Sequence, residues 1–234
     1  QARLYLDRVR NRLLAGLEFQ YGDIILNPLE EDGQRRGDAR ILIRDGDTEA
    51  RILELMDMIP FAKTEAGYFL EDEDNEYEFL YRVVPRLEQM LKVYATSAVK
   101  VRLHAGLEPP KVTVDVDERT DWLEFRFQLD GVPESEIRKL LEALEEKRKY
   151  YRMPNGALLP LESKQYQDII RFMNEVGIRK SDLGGISWDG KLGAGRIRNT
   201  GSSGAGAVMQ LPLYRGLALD PSLQDGAIKL SRKL

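Results

Sequence analysis

DWLEFRFQLDGVPESEIRKLLEALEEKRKYYRMPNGALLPL, residues 121–161, is the stretch that decides the fold. Leu123, Phe125, Phe127 and Leu129 alternate with Trp122, Glu124, Arg126 and Gln128, which predicts a strand with one apolar and one polar face. Asp130-Gly131 turns the chain, and Pro133 opens a helix, a position where its missing N–H costs nothing. Ile137, Leu140, Leu141 and Leu144 recur at helical spacing and form the buried stripe. Glu142, Glu145, Glu146, Lys147 and Arg148 lie mostly outside it. Residues 150–152 and 157–161 then flank Pro154-Asn155-Gly156, a strong turn signal. Strand, helix and hairpin in that order point to an α+β protein.

Working outward, residues 112–117 (VTVDVD) alternate cleanly and pair with the strand at 122–129. A further helix is predicted over 164–176, with Tyr166, Ile169, Ile170, Met173 and Val176 inward and Gly177 as its C-cap. Toward the N-terminus, residues 3–14 are basic and leucine-rich. Leu17, Phe19 and Tyr21 alternate with Glu18 and Gln20, Gly22-Asp23 turns, and residues 24–26 return as a hairpin. Residues 30–38 read as a loop and residues 40–44 as a short strand. Asp47 is the expected N-cap of a helix carrying Ile52, Leu55, Met56 and Ile59, stopped by Pro60. Residues 68–70 read as a strand, the acidic run 71–78 as a solvated loop, and Leu80, Val83, Leu87, Met90 and Leu91 as a helical stripe interrupted by Pro85. Residues 93–103 have strand character. Ala105 to Lys111, with its glycine and paired prolines, is the expected boundary between lobes 1–106 and 107–234.

At 234 residues, with 42% hydrophobic and 32% charged, the chain can bury a substantial core. No apolar run approaches the ~20 residues of a membrane helix, and no secretory h-region opens the chain. A soluble protein of the cytoplasm is expected. Gln1 in first place reads as a piece of a longer polypeptide. Cysteine is absent, so disulfides and thiolate zinc sites are excluded. His104 is the single histidine and reads as a loop or strand-edge residue, which leaves no histidine metal cluster. Charge is uneven: residues 171–234 hold ten Lys/Arg against five Asp/Glu, while residues 1–170 hold 25 against 34.

Several chemistries fail on spacing. The acidic run 71–78 does not fit an EF-hand, which needs glycine sixth and glutamate twelfth. Counting from Asp72 gives Tyr77 and Val83; counting from Asp74 gives Phe79 and Pro85. Residues 185–192, GISWDGKL, match seven positions of a GxxxxGK[ST] phosphate loop. Leu192 stands where the magnesium-binding hydroxyl belongs, and no hydrophobic strand precedes it. No nucleophile-base set stands out. Residues 184–206 hold eight glycines and are expected to form a mobile loop. Lys191, Arg196 and Arg198 lie in it and Arg215 follows, a set suited to phosphate contact without base reading. Residues 209–219 regain an apolar pattern, and residues 225–234 form a short basic tail.

Phe19-Gln20-Tyr21-Gly22-Asp23 with Asn27-Pro28 carries a family likeness. So do Ile43-Arg44-Asp45 ahead of a helix holding Glu49, and Asp121-Trp122-Leu123 with Ala143-Leu144. Lys149-Tyr150-Tyr151-Arg152 with Gly156, and residues 211–215 (LPLYR), complete it. Over residues 15–220 the chain resembles the helicase-associated region N-terminal to the motor of bacterial Swi/Snf-like ATPases. Gly216 departs from the alanine expected there. The resemblance implies a non-catalytic accessory domain beside two RecA-like lobes that hydrolyse ATP and translocate on duplex DNA. ATP and magnesium would belong to that motor and no cofactor to this chain. Its expected partner is the motor of the same polypeptide. Alternative readings are a direct nucleic-acid-binding module that uses the basic Gly-rich loop, with double-stranded DNA among the partners considered, and a protein-interaction module for the transcription machinery.

Overall fold

Arginine-rich residues 1–21 form a long hairpin, β1 (Ala2–Val9) with β2 (Arg12–Tyr21), turned at Arg10-Asn11. Alternation explains it. Leu4, Leu6, Leu13, Ala15, Leu17 and Phe19 are buried on one face, while Tyr5 and Leu14 fall on the other. The computed structural model describes residues 1–30, 43–103, 111–117, 122–128, 134–176, 196–198, 206–212 and 228–232. They divide into a first unit, residues 1–103 with 155–157, and a second unit, residues 104–154 with 158–234.

In the first unit β2 also pairs with β3 (Ile24–Leu26) and β5 (Gly67–Leu70), and β5 with β4 (Ala62–Thr64). Gly22 makes the β2–β3 turn at φ 61°. β6 (Lys92–Ala95) lies parallel to β1, giving the order β4-β5-β2-β1-β6 with β3 beside β2. The hairpins expected at 17–26 and the strand at 68–70 are present. The parallel pair is not a hairpin product: the helical segment between β5 and β6 supplies the crossover that parallel strands require.

Three sequence expectations change here. The first helix, α1 (Gly46–Asp57), is capped by Asp45 rather than Asp47: the Asp45 carboxylate accepts from the Thr48 amide at 3.2 Å. Residues 43–45 carry no regular structure, and residues 40–42 lie outside the described set. The acidic run is not a loop. Asp72 caps α2 (Glu73–Glu78), accepting from the Asn75 amide at 2.8 Å, and Glu73, Asp74 and Glu76 sit in the first turn, where the helix dipole favours them. Lastly, residues 97–100 form a short helix, α4 (Ser97–Lys100), where a longer strand was expected.

Pro85 explains the irregular helix that follows α2. Residues Phe79–Val83 take a π turn in which the Val84 amide bonds the Phe79 carbonyl, and α3 (Val84–Leu87) continues with proline in its first turn. Widening the coil accommodates a residue that cannot donate and whose ring crowds the preceding turn. Phe79, Leu80, Val83, Val84 and Leu87 join Ile52, Leu55, Met56, Ile59 and Phe61 in one core with the buried face of the sheet. Phe61 meets Phe79 edge-on at 4.9 Å.

The second unit contains α5 (Glu134–Glu145), α6 (Lys164–Val176), the hairpin β9 (Tyr150–Arg152) with β10 (Leu158–Pro160), and a five-stranded sheet. Ile137, Leu140, Leu141 and Leu144 are buried, as the stripe requires, and so are Tyr166 and Ile169. The sheet runs β11 (Arg196–Arg198), β12 (Gly206–Pro212), β8 (Trp122–Gln128), β7 (Lys111–Asp117), β13 (Ile228–Arg232). β7 and β8 pair antiparallel as expected, with Val114 opposite Phe125. β13 runs parallel to β7. The fold is α+β with mixed sheets.

Candidate functional site

Charged residues of the first unit are drawn into two buried clusters. In one, Glu49 is 6% exposed on the inner side of α1. Tyr21 donates to its Oε1 at 2.6 Å, Arg44 Nε donates to the same oxygen at 3.0 Å, and Arg44 Nη2 pairs with Oε2. The Asp45 amide donates to the Tyr21 hydroxyl at 3.0 Å. Arg44 holds the Glu49 carboxyl below its usual value against the opposing effect of burial, and the Tyr21 bond adds to this. Burial, then the bond to Glu49, raises the Tyr21 phenol. Tyr21, Arg44, Asp45 and Glu49 carried the family likeness, and the structure gathers them onto one carboxylate that ties the β2 end to the start of α1.

The other cluster was not anticipated. Glu76 is 2% exposed and Arg102 5%. Arg102 Nε donates to Glu76 Oε1 at 3.0 Å, Nη2 to Glu76 Oε2 at 3.2 Å and to Glu73 Oε2 at 2.8 Å, and Nη1 to the Gly156 carbonyl at 2.7 Å. Arg8 Nε reaches Glu76 Oε1 at 3.1 Å from β1. Burial opposes the Arg102 charge, but bonding to Glu76 and Glu73 outweighs it and raises its pKa. Every guanidinium nitrogen of Arg102 is engaged, which marks a structural clamp rather than a reactive centre.

The outer face of the first sheet carries a depression of about 470 Å³ lined by Tyr5, Leu14, Gly16, Phe69, Tyr94 and Thr96. Tyr5 and Tyr94 stack at 5.2 Å and stay 40% and 47% exposed. A Cβ added at Gly16 would meet open space, so the floor is set back there. Gly67 sits where β5 closes on β2: a Cβ would lie 2.9 Å from the Ala15 carbonyl oxygen, at φ 145°. The one carboxylate in the lining, Asp7, accepts from the Thr96 hydroxyl at 2.8 Å.

In the second unit Tyr151, another residue of the likeness, donates to Glu136 and fastens β9 to α5; burial, then that bond, raises its phenol well above the ordinary value. Of the basic residues singled out in the sequence, Arg196 and Arg198 form β11, a strand paired to β12, where a mobile loop was expected. Lys191, Arg215, His104 and the GISWDGKL segment lie outside the described residues. Register adds members that sequence order hides. Arg198, Val208, Arg126, Thr113 and Lys229 form one continuous row across five strands. Arg196, Gln210, Glu124, Asp115 and Ser231 form another on the same face, two positions along. The row between, on the opposite face, is Ile197, Met209, Phe125, Val114 and Leu230. Arg126 lies on the face that the alternation of its strand makes polar; Lys229 joins it only through the parallel register.

A model of the bacterial SNF2 helicase-associated family matches residues 1–187. The chain belongs to that family. The match takes in the Glu49 and Glu76 clusters, the outer-face depression and the Tyr151–Glu136 tie; the similarity seen at residues 211–215 falls beyond it. No curated protein and no solved structure matches the chain. Among the described residues no group of acidic or histidine side chains is arranged to hold a metal ion, and no helix is long and apolar enough to cross a membrane.

Proposed function

We propose that this chain is a regulatory accessory domain of a bacterial SNF2-type DNA-dependent ATPase. It positions or restrains the motor, or the DNA in it, by docking. The observation that carries this reading is the family match over residues 1–187. Two features support it. The buried carboxylates Glu49 and Glu76 are consumed by the fold, paired with Arg44 and with Arg8 and Arg102. An aromatic sheet face is left open beside them. Exposed aromatic and aliphatic side chains grouped on a rigid sheet suit a protein partner. ATP and magnesium chemistry would belong to the motor.

Hydrogen exchange tests the docking. Amides of β1, β2 and β6 should exchange more slowly in the full-length polypeptide than in the isolated 234-residue chain. Identical exchange in the two contexts would argue against docking through this face.

A further inference from the structure

We propose that the polar face of the second unit's sheet binds the phosphate backbone of duplex DNA, with Arg198, Arg126 and Lys229 as its central row. This rests on the reading that the chain works beside a DNA motor, and it gives that reading a contact site. Three observations carry it.

The first is register. Arg198, Arg126 and Lys229 come from β11, β8 and β13, segments far apart in the sequence. The ladders nonetheless place them in a single row that contains no acidic residue. Adjacent members of the row are two strands apart, roughly 10 Å at the ~4.8 Å strand spacing. That is close to the ~12 Å width of the duplex major groove, so neighbouring cations can meet phosphates on its two walls.

The second is the surroundings of the row. Lys111 lies two positions along on the same face and Arg196 two positions along on the other side. Glu124 and Asp115 share the Arg196 row, and Asp117 pairs with Trp122 beyond it. The acids therefore confine the positive stripe to one side of the face. Such a stripe attracts a polyanion without recognising bases.

The third is the other face of the same sheet. Rows of Ile197, Met209, Phe125, Val114 and Leu230, and of Ala207, Phe127, Val112 and Ile228, are apolar throughout. α5, with its buried leucine stripe, packs by β12. Burial of apolar area favours a helix on that face rather than on the basic one.

The test is titration of a fluorescent duplex with the 234-residue chain over a range of KCl. Each phosphate neutralised contributes about 0.9 to the slope of log K against log salt. Arg126→Gln, Arg198→Gln and Lys229→Gln together should flatten that slope by about 2.7 and weaken binding at least ten-fold at ~0.1 M salt. Lys92→Gln, Lys100→Gln and Lys164→Gln, the same loss of charge at exposed positions outside the sheet, should leave the slope within about 0.5 of the parent. Equal losses in the two triple variants, or no loss in the first, overturn the proposal. Should the first triple variant fail to fold, Arg198→Gln alone, on the edge strand, should lower the slope by about 0.9, and an unchanged slope overturns it. Slower exchange of β1, β2 and β6 in the full-length polypeptide, together with an unchanged salt slope, would retire the DNA site while leaving the accessory role in place.

Discussion

The two units place their arginines differently. In the first unit Arg8 and Arg102 are held on Glu76, and Arg44 on Glu49, so their charge is neutralised within the fold. In the second, Arg126, Arg198 and Lys229 occupy matched register positions without a carboxylate in their row. The same residue type serves as internal clamp in one place and as candidate ligand contact in the other. What separates them is the partner that topology supplies. A short helix that buries Glu76 creates a demand for arginine; a row of Val208 and Thr113 creates none. Removing a clamp should therefore damage stability and spare DNA binding, while neutralising the row should do the reverse.

The largest effect should come from Arg102→Met. It leaves the Glu76 carboxylate, only 2% exposed, with Arg8 alone. Loss of one partner of a buried pair costs about 3–5 kcal/mol, to be read by urea unfolding of the 234-residue chain. Arg198→Gln, by contrast, should change stability by less than about 0.5 kcal/mol. If the two variants lose similar stability, the distinction between clamp and row is wrong. Adding Glu76→Gln to Arg102→Met sharpens the point. With no buried charge to strand, the double variant should recover about 1–2 kcal/mol of the single variant's loss, a coupling of the size that contacting pairs show. Simple additivity would mean that Glu76 is solvated after all.

Gly67→Ala is the next test. A methyl at 2.9 Å from the Ala15 carbonyl oxygen, on a residue at φ 145°, should cost about 2 kcal/mol, mostly local to β4 and β5. Duplex affinity should not move.

Glu49→Gln should cost about 1–2 kcal/mol at neutral pH through loss of its charge-assisted bond to Arg44. The pH dependence follows from the sign of the shift. Folding lowers the Glu49 pKa, so its contribution is complete above the ordinary glutamate value of 4.5 and is lost as pH falls below it toward the folded-state value. The stability gap between parent and Glu49→Gln should narrow through that acid range. A gap that is constant down to pH ~3 would show that the carboxylate's charge is not what Arg44 and Tyr21 hold.

Much of the fold is written locally. The alternation at 112–128, the stripe at 137–144 and the Pro154-Asn155-Gly156 turn specify strand, helix and hairpin by period and turn chemistry alone. β1 carried the same signal, since Leu4 and Leu6 alternate with Arg3, Tyr5 and Asp7, but its arginine density masks it. The acidic run was illegible for a physical reason. A helix of six residues shows no stripe, and the arginines that make its burial tolerable stand 26 and 68 positions away. Of the proposed contact site, Arg196 and Arg198 were visible as isolated cations among glycines, and Arg126 as a member of a polar face. Their alignment with Lys229 depends on strand order and a parallel register, which no local pattern encodes.

The accessory role itself is tested most directly by the DNA-stimulated ATP turnover of the full-length polypeptide, measured with and without residues 1–187. A domain that positions or restrains the motor should change that rate, in either direction, when it is removed. A rate that is the same with and without it, at every DNA concentration, would contradict the assignment.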